Sequence, residues 1–325
     1  MQEVKLAHQL VSSHVGFGCA GLMREPSMRR RHAVLAAAFE HGIRHFDVAR
    51  MYGLGAAEAE LGRFLNGRRE QVVIATKFGI EPGRSLGRLA QLQAPARELL
   101  ARFPALREHV KRRSSRLEQP HRYDVATARR SLETSLRELR TDYIDILFVH
   151  GPSAHEPIEW QALCAFLEDA RRAGLVRAWG LAGEHEDCSA LARGLPDETL
   201  LQVREDIFSR ERARAGGRRA QLTYGALANA LARIVDGGST APRGVGVKTA
   251  SSRAPGTGRT DALATLLLAD ALQANADGVV LYSTTKPERM HTVNRALSCA
   301  AGESEELRAL REHLAGEPVR TAVGG

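Results

Sequence analysis

The sequence predicts an α/β fold, a closed (β/α)8 barrel with a long basic insertion after its third strand. Three observations lead there. Short β-type runs alternate with longer helical runs along nearly all of the 325 residues, and such alternation builds a parallel sheet. The strand candidates number eight, which fits a barrel of about 250 residues with added loops. Hydrophobic residues make up 43% and charged residues 26% of the chain, ample for one sizeable core. An open doubly wound sheet is the rival arrangement. No stretch reads as a domain linker, so residues 1–325 are expected to form a single domain.

Each element has its own signal. Residues 14–18 read as the first strand, and 29–41 as a helix with Ala, Val, Leu and Phe on one face. Residues 43–48 are the second strand, followed by a helix over 56–65. The third strand, 71–76 (QVVIAT), is a β-branched run bounded by polar residues. After the insertion, 125–139 is helical and 143–149 (YIDILFV) reads as a buried strand. The helix 158–172 ends at Gly174, a C-cap signal. Residues 176–181 and 200–203 supply the fifth and sixth strands, and 224–235 an amphipathic helix ending at Gly237. Residues 245–249 read as the seventh strand, 261–274 as a helix and 278–282 as the eighth strand. Pro287 opens the last core helix, as proline suits a first helical position.

Charge and cysteine usage narrow the class. The net charge is +8, but residues 81–122 alone hold ten basic and four acidic side chains. The chain is near neutral outside that insertion, and no groove-reading motif accompanies the charge, so nucleic-acid binding is not expected. The insertion reads as a lid or substrate loop for an anionic substrate, or else as a solvated helical excursion. No run of about 18 apolar residues predicts a membrane span. The first ten residues lack the apolar middle of a secretory signal, so the expected compartment is the cytoplasm. Cys19, Cys164, Cys188 and Cys299 form no Cys-x-x-Cys pair, which argues against zinc and disulfide frameworks. The contiguous His185, Glu184, Glu186 and Asp187 have poor ligand geometry, and no metal is expected.

Barrels place their chemistry at the C-terminal ends of strands. Four ionisable residues stand there: Asp47 ends the second strand, Tyr52 follows five residues on, Lys77 ends the third strand and His150 ends the fourth. A charge set directly after a buried strand costs desolvation unless it is paired. The types suggest roles. Tyr52 can donate a proton to a developing alkoxide, a nearby Lys77 would lower its pKa, Asp47 would keep Lys77 charged, and His150 would orient a carbonyl oxygen. Proteins have no hydride donor of their own, so a nicotinamide or flavin is implied. Lys77 is one of only five lysines against 41 arginines, in keeping with a special use of its compact amine.

At this point a resemblance becomes specific. FDVARMYGLGAAEAELGRFL, ATKFG and YIDILFVHGP are similar to the signatures of the aldo-keto reductases. Tyr52, Gly53, Gly55, Glu58, Leu61 and Gly62 meet the family's Tyr-Gly-x-Gly-x-x-Glu-x-x-Leu-Gly spacing. The resemblance covers about residues 14–300. It implies a (β/α)8 barrel whose Asp47, Tyr52, Lys77 and His150 reduce an aldehyde or ketone with NADP(H), or run the reverse, with NAD(H) as the alternative. The substrate would be a small-molecule carbonyl or sugar. VVLYSTTKPERM resembles the family's cofactor segment. By that resemblance Ser283, Thr284, Lys286 and Arg289 hold the adenosine 2′-phosphate and neighbouring phosphates, and Gln202 lies near the nicotinamide carboxamide. Two other readings stand beside this one: an NAD-dependent sugar 1-dehydrogenase, and a non-catalytic cofactor-binding regulatory barrel.

The chain also departs from the family pattern. Ala182 and Gly183 stand where a Ser-Asn pair usually holds the carboxamide. If 245–249 is the seventh strand, the usual stacking tyrosine falls near Ala250. If TYGAL is that segment instead, Tyr224 takes the role; counting strands favours the first register. Thr292 and Val293 replace a Glu and Asn that often clasp adenine. Gly16, Gly18 and Gly21 spell G-x-G-x-x-G, but Pro26 delays the following helix, so a bend after the first barrel strand explains them better than a dinucleotide fingerprint.

Overall fold

The computed structural model describes residues 1–7, 10–82, 121–209, 221–236, 257–302 and 304–315. Eight parallel strands close into a barrel: β3 (Val15–Gly18), β4 (His45–Asp47), β5 (Val73–Phe78), β6 (Ile144–His150), β7 (Val176–Gly183), β8 (Leu200–Arg204), β9 (Leu222–Tyr224) and β10 (Val279–Tyr282). An antiparallel hairpin precedes them, with β1 (Glu3–Lys5) paired to β2 (Val11–Ser13). The helices between strands are α1 (Met28–Glu40), α2 (Ala57–Phe64), α3 (Val125–Leu139), α4 (Trp160–Arg172), α5 (His185–Ala192), α6 (Ala228–Asp236) and α7 (Thr257–Ala274); α8 (His291–Ala301) and α9 (Glu305–Ala315) follow the last strand. The expected (β/α)8 architecture is therefore present.

One expected element is corrected. Residues 245–249 lie outside the described residues, and the seventh barrel strand is β9. It bridges β8 through Gln202↔Leu222 and β10 through Val280↔Thr223, so the ring closes on it. The expected helix from residue 224 begins instead at Ala228. The strand is only three residues long, too short for a period-2 pattern to stand out from the helix after it. The basic insertion (residues 81–122) lies outside the described residues from 83 to 120; its ends meet as an antiparallel bridge between Ile80 and His121.

Side chains alternate across each strand, and this builds two cores. Outward positions such as Phe17, Phe46 and Ile74 pack under the helices. Inward positions such as Val73, Ile146, Phe148, Leu200 and Leu222 fill the barrel, and Val4, Leu6 and Leu10 of the hairpin region cap that inner cluster. The same alternation hands the last inward positions of β4, β5 and β6 to Asp47, Lys77 and His150, and the middle inward position of β8 to Gln202.

Capping explains how the helices are delimited. Ser27 accepts a hydrogen bond from the Arg30 backbone and starts α1, while Asp124 accepts from the Thr127 backbone and starts α3. Arg140 ends α3 in the left-handed region at φ 57°.

Candidate active site

A cavity of about 550 Å³ opens at the C-terminal rim of the barrel, the end where such barrels carry their sites. Asp47, Tyr52, Lys77, His150, Gln202 and Ser283 all line it. Lys77 Nζ donates to Asp47 Oδ1 at 2.6 Å and to the Val48 carbonyl at 3.0 Å. Asp47 Oδ2 accepts from Gln202 Nε2 at 2.9 Å. Lys77 and Asp47 are each 2% exposed, so this pair is held out of water. Such pairing offsets desolvation, and removing one partner costs about 3–5 kcal/mol.

Tyr52 enters from a 3-10 turn, Tyr52–Gly55. Gly53, Leu54 and Gly55 have φ of 59°, 60° and 88°, the left-handed region that glycine tolerates and leucine resists. The reversal brings the Tyr52 ring over the cavity. Lys77 Nζ lies 5.1 Å from its centroid. The His150 ring stands edge-on to it, with centroids 6.0 Å apart at 85°.

The electrostatics follow from burial. Burial pushes the Tyr52 hydroxyl up, and Lys77 opposes it without overcoming it. The expectation that Lys77 leaves this hydroxyl below its ordinary value is thus corrected: desolvating a phenolate outweighs the nearby ammonium. Tyr52 stays protonated, the state a proton donor needs. Burial alone would pull Lys77 down, but Asp47 and then Tyr52 raise it overall. His150 is driven down to about 3 by burial and then by Lys77, so its imidazole is neutral. Its Nδ1 is buried without a hydrogen-bond partner.

Gln202 Oε1 is likewise buried and unpartnered. An orphaned acceptor on a cavity wall is costly unless a ligand donor meets it, and a carboxamide N–H is such a donor. Ser283 Oγ donates to the Gly18 carbonyl at 2.8 Å. Thr284 Oγ1 accepts from the Lys286 backbone at 3.1 Å. Pro287 opens a 3-10 turn, Pro287–Met290, that leads into α8. Lys286 and Arg289 are exposed on this turn, beyond the cavity lining. The hydroxyl and cationic groups of Ser283, Thr284, Lys286 and Arg289 have the chemistry to hold a phosphate-bearing group, and of the four only Ser283 lines the cavity.

Tyr224, at the end of β9, also lines the cavity. Burial, then the Glu184 carboxylate, push its hydroxyl up to about 12. Sequence reasoning did not single out Glu184 or Ile80 for the cavity, although both line it; their places one residue past β7 and two past β5 were the available signal. An added Cβ at Gly18 would lie 2.5 Å from Ser283 Oγ and one at Gly16 would lie 2.6 Å from the Leu281 side chain, so close packing at the first barrel strand accounts for these two glycines. Cys19 is fully buried and its thiol is pushed up by burial, so it is a core residue. His185 Nε2 lies 3.2 Å from Ser189 Oγ. Among the described residues no group of three or more His, Cys, Asp or Glu could hold a metal ion. No described helix is long and apolar enough to cross a membrane.

Fold and site together define a parallel (β/α)8 barrel with a buried Lys–Asp pair, a tyrosine and a neutral histidine at its C-terminal mouth. Comparison with known proteins agrees. The Aldo/keto reductase family matches residues 14–211. Aldo-keto reductase yakc of Schizosaccharomyces pombe, whose name carries NADP(+), is 32% identical over 61% of this chain and 50% of that protein. D-threo-aldose 1-dehydrogenase of a Pseudomonas species is 31% identical over 58% of this chain and 55% of its own length. The chain spans about half the length of the curated relatives it matches. Among solved structures, glycerol dehydrogenase AKR11B4 from Gluconobacter oxydans has the same fold, with a TM-score of 0.65, 19% identity and 99% coverage of both chains. The chain belongs to the aldo/keto reductase family.

Proposed function

We propose that the protein is an NADP(H)-dependent oxidoreductase that reduces an aldehyde or ketone to an alcohol, or runs the reverse, with Tyr52 as general acid. The observation that carries this reading is the buried Lys77 ammonium, paired with Asp47 and set beneath the Tyr52 ring in the rim cavity. A bound nicotinamide supplies the hydride. Tyr52 Oη gives its proton to the substrate carbonyl oxygen, and the Lys77 ammonium stabilises the phenolate left behind. Asp47 keeps Lys77 protonated and in place. Neutral His150 positions the carbonyl oxygen. Gln202 would hold the carboxamide through its unpartnered Oε1, and Ser283, Thr284, Lys286 and Arg289 would hold the phosphate groups. The name of the yeast relative supports NADP(H) over NAD(H), as does the cationic pair Lys286 and Arg289.

Two measurements test this. Fluorescence titration is expected to show NADPH binding at least tenfold tighter than NADH. Tyr52→Phe is expected to lower turnover about 10²–10⁴-fold while leaving cofactor affinity intact. Retention of more than about a tenth of the wild-type rate would sink the assignment, given that magnitude. A second reading, a sugar 1-dehydrogenase, is favoured by the aldose dehydrogenase relative. Faster turnover of aldoses with NAD⁺ than of carbonyls with NADPH would select it. Tight cofactor binding without turnover of any carbonyl or sugar would select a regulatory barrel.

A further inference from the structure

We propose that Arg50 is a positioning residue for Tyr52, anchoring the reactive turn from outside the barrel wall through Glu58 and Glu81. The inference rests on the proposed role of Tyr52 as proton donor.

The segment from Asp47 to Gly55 is held on two sides. Inside the barrel, Lys77 Nζ bonds the Asp47 carboxylate and the Val48 carbonyl. Outside it, the Arg50 guanidinium donates through Nη1 to Glu58 Oε2. Its Nε lies 3.7 Å from Glu81 Oε2. Glu58 is 1% exposed and is itself fixed, since its Oε1 accepts from Thr76 Oγ1 and from Ser135 Oγ, each at 2.7 Å. Ser131 Oγ fixes Glu81 at 2.7 Å. Thr76 and Lys77 are successive residues of β5 and point to opposite faces. One strand therefore braces the turn from both sides.

The turn needs a second anchor. Three successive residues in the left-handed region, one of them Leu54, form an arrangement that persists only where the surroundings over-determine it. The inner tether holds the segment by the Lys77 side chain as far as Val48 and by a long backbone bond from the Arg50 N–H to the Lys77 carbonyl, 3.4 Å, and leaves the Arg50 side chain to fix the turn on its outer side. The grip at Arg50 lies two residues from Tyr52. It also links the turn to Glu81, at the root of the insertion, and Pro82 lies 3.1 Å from where a Cβ on Gly55 would stand. A displacement of about 1 Å at a reacting group costs roughly 10²-fold in rate, so loss of this grip should appear in the chemical step.

The test uses the full chain and three variants, Arg50→Met, Arg50→Lys and the double variant Arg50→Met/Glu58→Gln, which leaves no buried carboxylate unpaired at Glu58. NADPH affinity, melting temperature and the single-turnover rate of hydride transfer to a saturating aldehyde are measured for each. The expected result is a rate at least tenfold lower in Arg50→Met and in the double variant, with NADPH Kd within twofold of wild type. Arg50→Lys keeps the charge but cannot reach both carboxylates, and is expected to recover part of the rate. A wild-type rate in any folded variant overturns the proposal. So does a loss of rate matched by an equal loss of NADPH affinity, which marks general loosening. If neither Met variant folds, the rate of Arg50→Lys decides. A wild-type protein that turns over no carbonyl would remove the reading of Tyr52 and this inference with it. Turnover by wild type with unchanged Arg50 variants would remove this inference alone.

Discussion

Burial sets the protonation of the groups around Lys77, and Lys77, at the last inward place of β5, opposes it at Tyr52 and adds to it at His150. The Lys77 ammonium is kept charged by Asp47, and it helps hold His150 neutral. Tyr52 and Lys77 are shifted upward and His150 down to about 3. None of the three then changes charge between about pH 5 and 9, given ordinary values of about 10, 10.4 and 6.5 for the free side chains. The single-turnover rate of reduction at saturating cofactor is therefore expected to be flat across that range. A limb near the ordinary imidazole value would show that His150 titrates in the working enzyme. Residue identities at this scale were legible in the sequence, because titratable side chains directly after apolar strands stand out. Their net proton affinities were not. The opposing effects of burial and of Lys77 on Tyr52 are distances and solvent exclusion, which a string of letters does not carry.

At the scale of elements, the run from Tyr52 to Gly62 reads as a set of local demands. Gly53 and Gly55 permit the reversed backbone, Glu58 receives Arg50, and Leu61 enters the core. Gly62 lets α2 lie against α3. A Cβ there would stand 2.5 Å from the Glu138 carbonyl oxygen and 2.7 Å from the Leu139 carbonyl carbon. Those atoms are backbone, so the helices themselves would have to separate. Gly62→Ala is expected to destabilise the fold by about 1–3 kcal/mol. Gly302→Ala, which meets nothing within 4 Å, serves as the control. Equal midpoints for the two variants in urea unfolding would refute the close-packing account. Long helices with clear caps, such as α3 between Asp124 and Arg140, were legible to the residue. The three-residue strand β9 was not, because what makes it a strand is its pairing with β8 and β10.

The whole molecule decides what becomes of buried groups inside the barrel. His45 points inward on β4, fully buried, with Nδ1 3.0 Å from Ser12 Oγ of the hairpin. Burial, then Lys77, drive it down to about 3. A histidine depressed in the folded state binds fewer protons there than when unfolded. Its contribution to stability is therefore complete above the unfolded value near 6.5 and declines as pH falls toward 3. At pH 5 the loss amounts to about 2 kcal/mol relative to neutral pH. His45→Gln should flatten the pH dependence of urea unfolding by about that amount, and identical slopes in the two proteins would exclude it. His14 and His150 are also shifted down by burial, so part of the slope persists in the variant.

By itself the sequence determined the alternation of strands and helices, and with it the parallel barrel. It also determined which side chains end the second, third and fourth strands, because hydrophobic periodicity and strand ends are local properties. Tertiary structure alone decided that β9 closes the ring, that a hairpin caps the inner core, and that Arg50 and Glu58 meet behind the Tyr52 turn. The physical reason is the same in each case. Those features depend on pairings between distant segments and on the exclusion of water from between them, and neither exists until the barrel has closed.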